Sequence, residues 1–366
     1  MRKLVIYVRN KNIRPSDYYR IVQYAKDFKA DVIIRSAIPD KIDRWSLDSN
    51  NNKLSRILSL VLCYLFIIKN YLIGTIKDKK IKPETIIVVR EIFPRKMPFV
   101  FRKSLIKKCK STKLIWDFDD SIIGTEISMD EANIYFEYAD KVVVSTPYLK
   151  ENLPENIQQK TEVLCTTDGD LFHINLNDIN IKRRDSFEKV IYVVWVATAN
   201  NMPNLMDVID YLNVAAKKIK DEYNKELHLR VVCNKRVEKA FEYLKVDNIT
   251  WNHDVALEEI LSAHIGIMPL MNNKFALGKA GFKLIQYISG GVPVIASNVG
   301  FNSSILNKNI GFCVDQNSAE QWVNAIVELS KDYLNWEKYS INSKKEWKEK
   351  YSYQSHLEFW NNLINQ

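Results

Sequence analysis

Short apolar runs alternate with amphipathic stretches along most of the chain. In the first half, Leu4–Val8, Val32–Ile34, Ile86–Val89, Leu114–Trp116, Lys141–Val144 and Glu162–Leu164 read as strands. After a charged break from Asn180 to Lys189 come Val190–Val196, Leu229–Val232, Ile249–Trp251, Ile265–Met268, Val294–Ala296 and Gly311–Val314. These runs are nearly continuous in apolar residues, the pattern of parallel strands covered on both faces. Between them, Tyr18–Phe28, Asn204–Tyr223 and Ala319–Leu329 show helical spacing. Strand–helix alternation in two halves predicts two doubly wound α/β domains, 1–175 and 185–344, with the polar stretch near 174–189 as linker. The tail from Tyr333 to Gln366 is helical in pattern, and its last part, from about 345, is expected to pack back on the first domain.

One run departs from the alternation. Ile57 to Ile68 (ILSLVLCYLFII) is apolar throughout and bounded by Arg56 and Lys69. A membrane span needs about 20 such residues. A buried or interfacial helix is therefore expected, with a plain core helix as the default.

Composition changes this picture little. With 46% hydrophobic and 27% charged residues the chain is ordinary globular material. Its five cysteines are scattered without a C-x-x-C pair, which points to reduced thiols in a cytoplasmic protein. The start, MRKLVIYVRN, is interrupted too soon by Arg9 for a signal peptide and reads as a first strand. Charge is more telling. Residues 1–113 carry 27 Lys and Arg against 9 Asp and Glu, whereas 114–170 carry 3 against 13. A basic lobe of this kind faces a polyanion, either nucleic acid or anionic lipid headgroups.

The stretch 265–305, IGIMPLMNNKFALGKAGFKLIQYISGGVPVIASNVGFNSSI, carries the most chemistry. A strand ends at Met268-Pro269-Leu270, and Gly278-Lys279-Ala280-Gly281 opens a helix that stops at Gly290-Gly291. Glycines at a helix start let backbone N–H groups approach a phosphate, which the helix dipole favours. Lys279 and Lys283, four apart, would sit on one face at that positive end, an arrangement that a diphosphate offsets. A solvated lysine pair beside an ordinary cap has the same pattern.

This stretch resembles the donor-binding signature of glycosyltransferase family 4 and its relatives, in which an acidic residue precedes G-F-G-L, an E-A-M-A-like run and G-x-P-V-V-A-S. Here stand GFKL, IQYIS and GGVPVIAS, closer to a branch whose helix begins G-K-x-G-F-K and continues L-x-Q/E-Y, matched from Gly278 through Tyr287. VVWVATANNMPNL (193–205) resembles the first strand and turn of that branch's second domain, with Thr198, Asn200 and Asn201 before Pro203. VVREIFPRKMPF and KLIWDFDDSII resemble a strand, an Arg-Glu pair and a D-x-D-D turn of the first domain. The similarity covers roughly residues 86–305. It implies a GT-B fold, two Rossmann-like domains facing across a cleft, and glycosyl transfer with retention of configuration. The donor would be a nucleotide sugar, and the acceptor a saccharide or lipid-linked saccharide of a bacterial surface polysaccharide. Donor contacts would come from Thr198, Asn200, Asn201, Pro269, Leu270, Gly278, Lys279, Gly281, Phe282, Lys283 and Gln286.

The chain also departs from that family. The two donor-helix glutamates of many members correspond to Gly278 and Gln286, and the Arg and Lys after the first strand of the second domain are replaced in the region of Thr198 and Asn204. Phosphate neutralisation then falls to Lys279 and Lys283. The turn Asp117-Phe118-Asp119-Asp120 puts carboxylates at a strand's carboxyl edge, where ligands of open α/β sheets gather. Asp119 and Asp120 are the catalytic candidates on the acceptor side, and helix capping is the competing role for either. Asp168 and Asp170 lie in a turn expected to face the cleft. The five histidines all follow residue 172 with no metal-binding spacing, and His253 and His264 read as surface or core residues. A D-x-D pair can hold a divalent metal in other glycosyltransferases, but the resemblance to the GT-B class implies none, so neither metal nor cofactor is expected. No G-x-S-x-G, Walker loop or G-x-G-x-x-G occurs. A sugar-nucleotide epimerase and a basic nucleic-acid-binding protein are the rival readings. The second is disfavoured because no RNA- or DNA-binding motif is present. The segment REIFPRKMPFVFRKSLIKKCK from Arg90 mixes eight Lys and Arg with apolar residues, so Lys103, Lys107 and Lys108 are expected to meet an anionic bilayer from the cytoplasmic side.

Overall fold

The computed structural model describes residues 2–48, 52–315 and 318–366. They form two compact units, Met1–Thr166 with Gln354–Gln366, and Thr167–Tyr353.

The first unit is built on six parallel strands: β1 (Lys3–Val8), β2 (Asp31–Ser36), β3 (Thr85–Val89), β4 (Lys113–Phe118), β5 (Lys141–Val144) and β6 (Thr161–Val163). Their spatial order is β2-β1-β3-β4-β5-β6. Leu4–Ile6, Ile86–Val89, Leu114–Trp116 and Val142–Val144 are all buried, because helices cover the sheet. Each such aliphatic side chain contributes about 1.5–3 kcal/mol. The helix Phe99–Lys110 packs Leu105 and Cys109 inward. The helix Met129–Tyr138 starts at Ser128, whose Oγ accepts from the Glu131 N–H at 3.3 Å. Glu131 itself is buried; its carboxylate accepts from the N–H of Ile92 (2.7 Å) and Phe93 (3.1 Å) and from the Tyr135 hydroxyl (2.7 Å).

The last helix, Tyr353–Asn365, lies against this sheet's amino-terminal edge. Asn361 Oδ1 accepts from the Lys29 N–H at 2.9 Å, and Lys113 Nζ donates to the Leu363 carbonyl at 2.6 Å. The preceding helix, Tyr333–Lys350, belongs to the second unit, so the chain crosses back at Gln354 and not near 345.

The apolar run Ile57–Ile68 corrects an expectation. It lies within one helix, Lys53–Ile81, whose inward stripe is Ser59, Cys63, Ile67, Tyr71, Gly74 and Asp78. Ile57, Leu58, Leu60, Val61, Leu62 and Leu65 face outward and are exposed. A helix lying on a sheet touches it along one narrow stripe, so a run that is apolar all round leaves most of its side chains uncovered.

The second unit repeats the architecture: β7 (Val190–Val196), β8 (Glu226–Val232), β9 (Leu244–Ile249), β10 (Ile265–Met268), β11 (Val294–Ser297) and β12 (Gly311–Val314), in the parallel order β12-β11-β10-β7-β8-β9. Ile191, Val193, Leu229 and Ile267 meet Leu212 and Ala216 of the helix Ile209–Tyr223, and Trp322 and Ile326 of Ala319–Ser330, in one core. The expected strand at Ile249–Trp251 lies earlier, at Leu244–Ile249, in register with Leu227–Val232. As an edge strand it tolerates polar residues (LKVDNI), which hid it. The polar break is no linker either. Residues Leu176–Phe187 form a helix whose buried Arg183 donates to the carbonyls of Gly290 (3.0 Å), Gly291 (3.2 Å) and Leu261 (3.0 Å). These contacts make it part of the second unit, which begins at Thr167 where 185 was expected.

Candidate functional site

In the second sheet the chain starts at β7, adds β8 and β9 on one side, then returns to add β10, β11 and β12 on the other. Ligands of such sheets gather where this order reverses, outside the carboxyl ends of β7 and β10. The loop after β7 makes a tight turn, Ala199–Asn201, and enters the helix Met202–Met206 through Pro203. Asn201 Nδ2 donates to Thr198 Oγ1 at 2.9 Å, and Asn204 Oδ1 accepts from the Met271 N–H at 3.0 Å. That last bond ties the β7 loop to the β10 loop. In the β10 loop Pro269 and Leu270 are buried, and the Leu270 N–H donates to Ser297 Oγ of β11 at 2.9 Å.

Asn273 then caps a short helix, Lys274–Leu277, which ends at Gly278. Lys279 follows, its Nζ 4.6 Å from the centre of the Phe275 ring. Gly281 initiates the helix Phe282–Ser289 at φ 64°, and a Cβ there would lie 2.3 Å from Ile305 Cδ1. Only glycine meets both conditions. The helix is locked in place by Tyr287, whose hydroxyl accepts from the Val196 N–H at 2.9 Å and whose ring fills the space above Gly266. Next to the helix start, the Nδ2 of buried Asn302 donates to the Ser297 carbonyl at 3.2 Å, while its Oδ1 has no hydrogen-bond partner among the described residues.

A chain of side chains runs from this helix to residues 168–170. Lys283 Nζ donates to Gln286 Oε1 (2.8 Å), and Gln286 Nε2 donates to Asp168 Oδ2 (2.7 Å). Asp168 Oδ1 accepts from the Asp170 N–H (2.7 Å), and the other carboxylate, Asp170, meets His253 Nε2 at 2.9 Å. Burial pushes Asp168 up to about 6, with the Asp170 charge adding to it. Burial also pushes Lys283 down to about 8, against the pull of Asp168. The bond to Asp170 leads the causes that raise His253 to about 9, so it is a cation near neutrality. His264, by contrast, is a core residue held neutral by burial, at about 3.

In the first unit the order reverses between β1 and β3. Arg90, at φ 64°, follows β3 directly and donates to Asp119 Oδ1 (2.8 Å), Asp120 Oδ2 (3.3 Å) and Glu126 Oε2 (2.7 Å). Beside it Arg9 pairs with the buried Glu91, and Arg20 with the buried Asp117. Asp17 accepts from the Asn10 N–H at 2.8 Å and is pushed up to about 7 by burial.

Residues 192–332 match the family model described as glycosyl transferases group 1. This region resembles that family. It contains the whole β7–β10 edge, so the protein is a glycosyltransferase. Among solved structures, HepE of Anabaena in complex with UDP is similar with a TM-score of 0.65 and 10% identity, over 100% of both chains. A glycosyltransferase from Rickettsia africae gives 0.67 and 14%, over 99% of this chain and 97% of that one. A sucrose-phosphate synthase from Thermosynechococcus elongatus gives 0.66 and 13%, over 100% and 99%. At such identities the likeness establishes the fold, which is GT-B. No curated protein matches the sequence.

The glycosyltransferase thus brings Thr198, Asn201, Pro269 and Leu270 to one sheet edge, and Gly281, Phe282, Lys283 and Gln286 to the adjoining helix start. Asn200 is exposed beside them. Lys279 precedes the helix, so it does not share a helix face with Lys283 as the spacing predicted. Asp119 and Asp120 converge on Arg90. Lys103 and Lys107 are exposed, but Lys108 is not with them. It is buried, 3.0 Å from Asp78 Oδ2 and 4.4 Å from the centre of the Tyr7 ring, and cannot meet a membrane. A lysine ringed by aromatics and one carboxylate stays inside because its charge is paired there. Sequence reasoning gave no role to Arg9, Asp17 and Asn302. Arg90-Glu91 and Asp168 carried a signal, an Arg-Glu pair and an Asp turn at strand ends.

Proposed function

We propose that the glycosyltransferase moves a sugar, with retention of configuration, from a nucleotide sugar to a saccharide or lipid-linked saccharide. This reading places it in the synthesis of a bacterial surface polysaccharide, at the cytoplasmic face of the membrane. The observation that carries it is the β7–β10 edge, where two laced loops meet a glycine-initiated helix that bears Lys283 and is preceded by Lys279, within the region matched by the family model. HepE has been solved with UDP and with UDP and glucose, and a TarM structure of S. aureus with UDP and α-GlcNAc-glycerol, which supports the same ligand class here.

In this reading the donor diphosphate sits at the start of Phe282–Ser289, where helix N–H groups and Lys279 stabilise the charge that develops on the leaving group. Gln286 holds Lys283 by one end of its amide and Asp168 by the other, which positions Lys283 beside the helix start. Asp119 and Asp120, fixed by Arg90, accept hydrogen bonds from acceptor hydroxyls. The remaining rate enhancement comes from orientation. A thermal-shift screen against UDP-, GDP-, ADP- and CMP-sugars tests the donor. At 100 times Kd the matching nucleotide stabilises by about 2.7 kcal/mol, a rise of several degrees. If none of them raises Tm, the donor assignment is wrong. Product anomers read by NMR test retention.

A further inference from the structure

The helix Lys53–Ile81 in the first unit exposes a surface that the transfer reaction does not use. Its outward side chains are large aliphatics: Leu54 is 68% exposed, Leu65 55% and Ile76 59%, with Ile57, Leu58, Leu60, Val61, Leu62, Leu72 and Ile73 between them. By length and composition the helix could cross a membrane. Its polarity departs from that of a core helix, since the inward stripe joins small or polar residues (Ser59, Cys63, Gly74, Asp78) to Ile67 and Tyr71, while most of the aliphatics face out. Its charged residues are as one-sided. Lys53, Arg56, Lys69, Lys77, Lys79 and Lys80 are all exposed, and its one acidic residue, Asp78, is buried. The next helix adds Phe99 at 83% and Val100 at 76% exposure, beside the point where the Tyr64 hydroxyl donates to the Lys96 carbonyl.

We infer that this face is the membrane-docking surface of the protein, lying in the plane of an anionic bilayer. Aliphatics flanked only by cations match acyl chains below phosphate headgroups. A soluble protein partner would need acidic residues in matching positions, and a second copy of the chain would bring like charges together. The helix lies on the membrane and does not span it, because its inner stripe is fixed to the sheet. Asp78 accepts from Arg35 Nε (2.8 Å), from Lys108 (3.0 Å) and from the Tyr7 hydroxyl, and Cys63, Ile67 and Tyr71 belong to the core. Lys103 and Lys107 then supplement this surface. The inference deepens the proposed function by naming the part that meets the membrane, and rests on that reading only for the acceptor's location.

The experiment is sedimentation of the full chain with phosphatidylglycerol/phosphatidylcholine vesicles, comparing wild type with I57S/V61S/L65S and K103E/K107E. Wild type is expected to bind at low salt and to retain part of that binding at 0.5 M salt, on the order of the apolar contribution alone. The apolar variant should lose at least about tenfold in partition. K103E/K107E should weaken binding at low salt and match wild type at high salt. Equal sedimentation of I57S/V61S/L65S and wild type overturns the inference. So does a wild-type dimer, seen by light scattering, that the triple variant dissolves without any change in vesicle binding. Should the triple variant misfold by circular dichroism, V61C carrying an environment-sensitive fluorophore gives an independent reading. A blue shift with vesicles is expected, and no shift refutes the surface. Transfer to a soluble acceptor without vesicles separates the two claims, since it survives if only the membrane surface is wrong. Vesicle binding without any transfer indicts the function instead.

Discussion

At the carboxyl edge of the first sheet Arg90 spans three carboxylates, with Arg9–Glu91 and Arg20–Asp117 pairs packed beside it. At the corresponding edge of the second sheet, neutral groups join the loops: Asn201 to Thr198, Asn204 to Met271, Leu270 to Ser297. Both units solve the same topological problem, yet one edge is a set of mutually compensated charges and the other an amide-laced frame beside two lysines. A compensated edge keeps its geometry by burying pairs and suits neutral hydroxyl ligands. A frame with a positive helix start and lysines gains when an anion arrives. In the proposed function, the division of labour between acceptor and donor follows from that difference in charge.

Breaking a pair in the first edge should have the largest effect. Arg20→Met leaves Asp117 charged and buried, and is expected to destabilise the first unit by about 3–5 kcal/mol in urea unfolding. The double variant R20M/D117L should recover most of that loss. If the single and double variants unfold alike, the pair does not organise the edge.

Asp168 sharpens the comparison through pH. Its folded pKa of about 6 lies above the ordinary 3.8, so the folded state holds the proton more tightly. The stability it contributes is complete below about pH 4 and is lost as pH rises through about 6, on the order of 1–3 kcal/mol. Hydrogen exchange read by mass spectrometry should show the second unit weakening across that window in wild type and not in D168N.

Gly281→Ala tests the neutral edge. Positive φ and the contact with Ile305 should together cost about 1–3 kcal/mol and displace the helix start, lowering donor affinity in calorimetry. Unchanged affinity and Tm would remove that helix start from the donor site.

Lys279→Ala should raise the apparent donor constant about tenfold, equivalent to about 1.4 kcal/mol, with the melting profile intact. Wild-type kinetics would remove its phosphate role. Smallest is the effect of EDTA, under which transfer should continue unchanged; a strict Mn²⁺ or Mg²⁺ requirement would assign a metal to the reaction.

Much of the fold was legible because periodicity is local. Ten of the twelve strands lie where continuous β-branched runs predicted them within a residue or two at each end, and β8 is longer than its apolar core because Glu226 and His228 interrupt the run. The edge strand β9 was displaced because its polar residues weaken the pattern. Around the site, the glycine-rich helix start and the Pro269-Leu270 turn were legible from chain-breaking residues. The bonds of Gln286 to Asp168 and of Asp170 to His253 were not, since they join residues 118 and 83 positions apart.

By itself the sequence determined two α/β halves, the segments forming most of their strands, and the glycine and proline breaks around the helix Phe282–Ser289. Tertiary structure decided which charges are available. Lys108, Arg183 and Asp168 look like surface residues in a polar context, and each is buried by partners distant in the chain. The outward aliphatics of Lys53–Ile81 look like core and have no core to enter. Local sequence sets backbone geometry through sterics and side-chain period, whereas exposure depends on what the rest of the chain brings alongside, and a single sequence window carries no record of that.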